Sequence, residues 1–171
     1  MDDTTVIGAL RRLAQIGVKG RLILAGSAAA ILSEWVSRTT EDVDVIAATP
    51  KLSQIRKAIA QVAEELDLPE DWLNDAAVAW RDYLPPGFLQ RTERIGRFED
   101  LEVLRISRQD FILLKLIAFR PQDLEDLREL KPTATELQHC RQYLSRIAKW
   151  DGAAALRVEL YLKQGTDQSN E

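Results

Sequence analysis

Two short stretches of this chain carry residue types that can do chemistry together. The apolar run Leu22-Ile23-Leu24-Ala25 breaks into Gly26-Ser27, and a later run opens with Asp42-Val43-Asp44. A strand that ends in Gly-Ser and turns into a helix presents free backbone N–H groups, which suit a phosphate. In the second run a period of two puts Asp42 and Asp44 on one face and Val43 and Val45 on the other. Two carboxylates pointing the same way attract a hard cation, with Mg²⁺ the usual guest when phosphates supply its remaining ligands.

These residues need elements to hold them. Ile7, Leu10, Leu13 and Ile16 fall at helical spacing over 6–17, and Gly17 and Gly20 end that helix. A buried strand over 21–25, a short helix over 28–37 and a second strand over 43–48 follow. Pro50 opens a helix to about Leu66, with Leu52, Ile55, Ile59, Val62, Ala63 and Leu66 inward. Pro69-Glu70-Asp71 reads as the acidic start of another helix, over 69–80. Runs at 90–97 and 101–106, joined by Phe98-Glu99-Asp100, form a hairpin. Helices return over 108–119, 121–130, 135–150 and 151–163, and a polar tail closes the chain from Gly165 to Glu171.

The composition narrows the class. A chain of 171 residues with 46% apolar residues fits an α/β (α+β) domain with an ordinary core. No run approaches the roughly 20 apolar residues of a bilayer span, and the start lacks a basic leader, so the expected place is the cytoplasm, with no membrane partner. One cysteine, Cys140, beside one histidine, His139, offers neither a disulfide nor a structural zinc site. Any metal must therefore be held by oxygen. A formal net charge of −4 argues against a broad nucleic-acid surface, although Arg91, Arg94 and Arg97 form a local basic strip.

Gly26-Ser27 followed by Asp42-Val43-Asp44 resembles the signature of the DNA polymerase beta-like nucleotidyltransferase superfamily. The wider stretch Arg38-Thr39-Thr40-Glu41-Asp42-Val43-Asp44 is similar to the Arg-x-Thr-x-Asp-x-Asp of bacterial proteins related to the type II abortive-infection toxins. A second block, from Leu101-Glu102-Val103 through Lys115-Leu116-Ile117-Ala118-Phe119-Arg120 to Asp123-Leu124-Glu125-Asp126-Leu127, resembles theirs in the same order.

The resemblance implies a minimal nucleotidyltransferase-like mixed sheet flanked by helices over 1–130, a helical cap over 131–165 and the tail over 166–171. It implies transfer of a nucleoside monophosphate from an NTP to an RNA end, a protein or a small molecule, using Mg²⁺ or Mn²⁺. Asp42, Asp44 and Glu102 would be the catalytic and metal-binding acids, with Asp100 and Asp75 competing for the third place. Gly26, Ser27, Arg38, Thr40 and Lys115 would bind the nucleotide. A toxin–antitoxin or phage-defence setting with a cognate protein partner follows from the same likeness. The alternative from another class is an inactive member of the fold that works through protein partners. Lys115 has a rival reading of its own, an internal ion-pair network with Arg120, Asp123 and Asp126.

Overall fold

The computed structural model describes residues 1–167, in two compact units: residues 1–81 with 89–106, and residues 82–88 with the chain from 107 onward. The division falls at Ser107, ahead of residue 131, where the sequence reading sets its helical cap.

The first unit is built on a mixed five-stranded sheet, in the order β3-β2-β1-β5-β4. Its strands are β1 (Gly20–Leu24), β2 (Val43–Thr49), β3 (Leu73–Asn74), β4 (Glu93–Phe98) and β5 (Leu101–Arg105). Central β1 pairs antiparallel with β2 and parallel with β5; β3 runs parallel to β2, and β4 antiparallel to β5. Alternation sends Leu22, Leu24, Val43, Val45, Leu101 and Val103 into one buried cluster. There they meet Leu10 and Leu13 of α1 (Asp3–Gln15) and Ile59 and Val62 of α3 (Arg56–Leu66). That face is the core, and the residues one step along each strand look the other way.

Three elements differ from the sequence reading. The helix after β1 is only α2 (Gly26–Ile31), because Glu34 adopts a left-handed conformation (φ 56°) and the chain turns back. The segment after Pro50 makes a short 3-10 turn at Leu52–Gln54 before α3 begins, and Leu66 in its last turn is 41% exposed. Residues 69–80 do not form a helix. Instead the Val43 amide donates to the Trp72 carbonyl at 2.6 Å, Leu73 and Asn74 pair with Val43 and Asp44, and 3-10 geometry follows at Ala76–Tyr83. The indole of Trp72 is fully buried and donates to the Ile59 carbonyl at 3.1 Å, which anchors β3.

In the second unit, α4 (Arg108–Ala118) packs against α5 (Pro121–Leu130), α6 (Ala134–Ala148) and α7 (Gly152–Asp167). Ser107 and Thr133 cap α4 and α6 with their hydroxyls. The helix α7 continues through the start of the expected tail, whose residues 168–171 lie outside the described residues. Among the described residues no helix is long and apolar enough to cross a membrane.

Candidate functional site

The site begins where β1 stops. The Ala25 amide donates to the Asp44 carbonyl at 2.9 Å, so the end of β1 is stitched to β2 at Asp44. Gly26 then takes φ +61°, a left-handed value that costs a side-chain-bearing residue energy. A Cβ built on Gly26 would lie 2.3 Å from Asp44 Oδ2 and 3.1 Å from its Cβ and Cγ. The Asp44 carboxylate thus rests directly on the Gly26 backbone, and only glycine leaves room for it. Ser27 follows, half-buried, in the first turn of α2, where backbone N–H groups have no partner within the helix.

Arg38 closes the other side of this turn. Its Nη2 donates to Ser27 Oγ at 2.6 Å, placing a half-buried guanidinium beside the Gly-Ser step. Thr40 acts on the backbone: its buried hydroxyl donates to the Asp42 carbonyl at 3.0 Å, and its amide donates to the Met1 carbonyl at 2.9 Å. The Thr40 hydroxyl therefore fixes the approach to β2.

Asp42 has a partner that sequence reasoning missed. Asn74 donates from Nδ2 to Asp42 Oδ2 at 3.0 Å, and its Oδ1 accepts from the Ala76 amide at 2.9 Å. Because the Ala76 N–H can only donate, it holds the Asn74 carbonyl and turns the NH₂ toward Asp42. Asn74 also stands opposite Asp44 in the β2–β3 register, so its side chain shares the Asp44 face of the sheet. Through Asn74, Asp42 and Asp44 belong to one face, and both are half-buried. Nothing local in the sequence points from Asn74 to Asp42, 32 residues away.

Glu102 is not brought to this place. Its Oε2 accepts from Arg21 Nε at 2.9 Å, and Arg21 is its partner in the β1–β5 register. Asp44 lies level with Ala25, four residues further along β1, a step of about 13 Å at ~3.3 Å per residue. Asp100 is at the same far end, paired with Lys19 at 2.9 Å, and that partner holds its carboxyl below the usual range. The β5 residue level with the end of β1 is Arg105, whose guanidinium lies 4.2 Å over the Trp35 ring and pairs with Glu93 at 2.9 Å. No group of three His, Cys, Asp or Glu side chains positioned to hold a metal occurs among the described residues. Asp42 and Asp44 are the carboxylates that would hold a Mg²⁺ here, an ion commonly held by one or two carboxylates with phosphates and water completing its shell.

Lys115 belongs to the second unit and its charge is committed there. Its Nζ lies 2.8 Å from Asp123 Oδ1 and 2.7 Å from Asp126 Oδ2, with the three side chains 6%, 0% and 1% exposed. Cys140 is no nucleophile in this setting: burial, with Asp110 and Glu136 nearby, pushes its thiol up to about 12. His139 accompanies it, its Nε2 3.2 Å from the buried Asp110, which also accepts from the Ser107 hydroxyl at 2.8 Å.

The model of a family described as "Nucleotidyltransferase of unknown function (DUF6036)" matches residues 4–138. The chain belongs to that family. No curated protein and no solved structure matches it. The matched span contains the whole Gly26–Asp44–Asn74 arrangement and also Lys115. The family's description names nucleotidyl transfer as its reaction class, while the type II abortive-infection branch has no match behind it.

Proposed function

We propose that this family member transfers a nucleoside monophosphate from an NTP to an acceptor. The observation that supports the reading best is the seating of the Asp44 carboxylate on Gly26, which puts an acid at the Gly-Ser turn. In this reading the N–H groups at Gly26 and Ser27 take phosphate oxygens, and Arg38 adds positive charge beside Ser27. Asp42, oriented by Asn74, and Asp44 would hold Mg²⁺ or Mn²⁺. That ion would neutralise phosphate charge and orient the reacting oxygens. An RNA end, a protein hydroxyl or a small molecule would accept the nucleotide. A toxin–antitoxin or phage-defence role is proposed on the resemblance of the two sequence blocks alone.

One observation favours a second reading. Glu102 is engaged by Arg21, and no third acid joins Asp42 and Asp44 among the described residues. That suits a nucleotide-binding domain without catalysis that acts through a protein partner. Thermal melting with each NTP and Mg²⁺ or Mn²⁺ tests binding, because a ligand specific to the folded state raises Tm by mass action. Incubation with labelled NTP and cell extract then tests transfer. A Tm rise in the wild type that is lost in Asp42→Asn and Asp44→Asn, with label transfer, supports the enzyme; a Tm rise without transfer supports the binding domain. No Tm rise with any NTP refutes both.

A further inference from the structure

Asn74 occupies the place from which a third ligand would reach an ion held by Asp42 and Asp44. It stands opposite Asp44 in the β2–β3 register, on the Asp44 face of the sheet, and its Nδ2 lies 3.0 Å from Asp42 Oδ2. A carboxylate at this position would complete a group of three acids. The chain carries an amide there instead, and the amide is turned the wrong way for a cation. Its oxygen, the end that could ligate, accepts from the Ala76 amide at 2.9 Å, and its NH₂ points at Asp42.

Among the described residues no other acid fills the gap. Asp75, the next residue, lines an open cleft with Leu52 and Ile59, whose side chains belong to the core. On the other flank of β2, the residues of the Asp44 face on β1 and β5 are Ile23 and Leu104, both apolar and buried. Glu102, further along that face, is held by Arg21. Two metal ions that work as a pair sit about 3.5–4 Å apart and clamp the attacking and the leaving oxygen. At that spacing the two cations repel, and the carboxylates around them must offset the repulsion. Asp42 and Asp44 are the only acids on offer, and one Asp42 oxygen already accepts from Asn74. That set suits one ion, with phosphates and water completing its shell.

We propose that Asn74 limits the site to a single divalent ion, which arrives on the nucleotide. The proposal rests on the reading of Asp42 and Asp44 as the holders of that ion. Asn74 is a positioning residue for Asp42, and its donor closes the place of a second ion. An ion that arrives on the triphosphate serves the phosphates, so no metal activates the acceptor oxygen.

The test counts ions on the full chain. Mn²⁺ is titrated against the protein with one equivalent of the α,β-methylene analogue of each NTP, in which the bond to be broken is blocked. Free Mn²⁺ is read by electron paramagnetic resonance, with the analogue alone as the blank, and the Tm of the same samples reports whether the nucleotide is bound. The expected result is one Mn²⁺ per bound nucleotide for the wild type and for Asn74→Ala. Asn74→Asp, which builds the third acid without changing side-chain size, should take two. Two ions on the wild type, or one on a folded Asn74→Asp that binds nucleotide, overturns the proposal. Should Asn74→Asp fail to fold or to bind, the wild-type count decides. A wild type whose Tm responds to no analogue with Mn²⁺ removes the underlying reading and the proposal with it, whereas a Tm rise with two ions removes the single-ion proposal alone.

Discussion

The Asp44 carboxylate sits on the Gly26 backbone, so close that a Cβ on residue 26 would come within 2.3 Å of Oδ2. Gly26→Ala meets both this clash and the strain of φ +61°. The expected loss is about 1–2 kcal/mol from the backbone alone, with more if Asp44 cannot move. Urea unfolding gives the stability, and the Mg²⁺–NTP thermal shift reports the site. A variant as stable as wild type with an unchanged shift would show that the contact is dispensable.

Asn74 should matter through Asp42. Asn74→Ala removes a half-buried hydrogen bond to a charged group, worth about 1.5–3 kcal/mol at most sites, and leaves Asp42 without its orienting donor. Chemical denaturation should show the cost. The Mg²⁺ dependence of the NTP thermal shift should move to higher concentration, while a purely structural Asn74 would lower Tm and leave that dependence where it was.

Lys115 offers a clean separation between scaffold and site. Lys115→Met removes the cation shared by two buried carboxylates, leaving Asp123 to Arg120 and Asp126 to Gln122, and is expected to destabilise the protein by about 3 kcal/mol. Measured where the variant is still folded, the NTP shift should persist. Loss of the shift with stability intact would return Lys115 to a phosphate-binding role.

Acid should loosen the protein in a defined window. Burial pushes the Asp123 carboxyl up, but hydrogen bonds from Arg120 and Lys115 outweigh it and hold the carboxyl below its ordinary 3.8. Glu65, bonded by Arg12 and Gln61, is drawn from 4.5 down to about 2. Groups depressed on folding contribute stability that is present above their unfolded values and is lost as pH falls through the folded ones. Stability should therefore hold down to about pH 4.5 and decline below it. Asp123→Asn should flatten part of that slope in urea titrations across this range, and an unaltered slope would disprove the assignment.

The elements around the site were legible because their signals are local. The apolar run ending at Gly26, the alternation of Asp42 to Val45 and the helical spacing of α1 and α3 each declare their element within a few residues. The 69–80 segment misled because its strand is two residues long. The acidic start after Pro69 looks helical, and only pairing of Leu73 and Asn74 with Val43 and Asp44 overrides it.

By itself the sequence determined the chemistry on offer: two acids at a spacing of two on a strand, a Gly-Ser turn before a helix, and one cysteine and one histidine with no metal set around them. Tertiary structure decided which groups meet, and for Lys115 which of two readings holds. Strand register places Glu102 beside Arg21 and brings Asn74 to Asp42, and packing of α4 against α5 buries Lys115 with Asp123 and Asp126. Side-chain type and periodicity are properties of neighbouring residues. The Lys115 network joins neighbouring helices and was already on offer in the sequence. The meetings of Glu102 with Arg21 and of Asn74 with Asp42 are settled between segments 81 and 32 residues apart, where burial and hydrogen bonding compete to choose the partner.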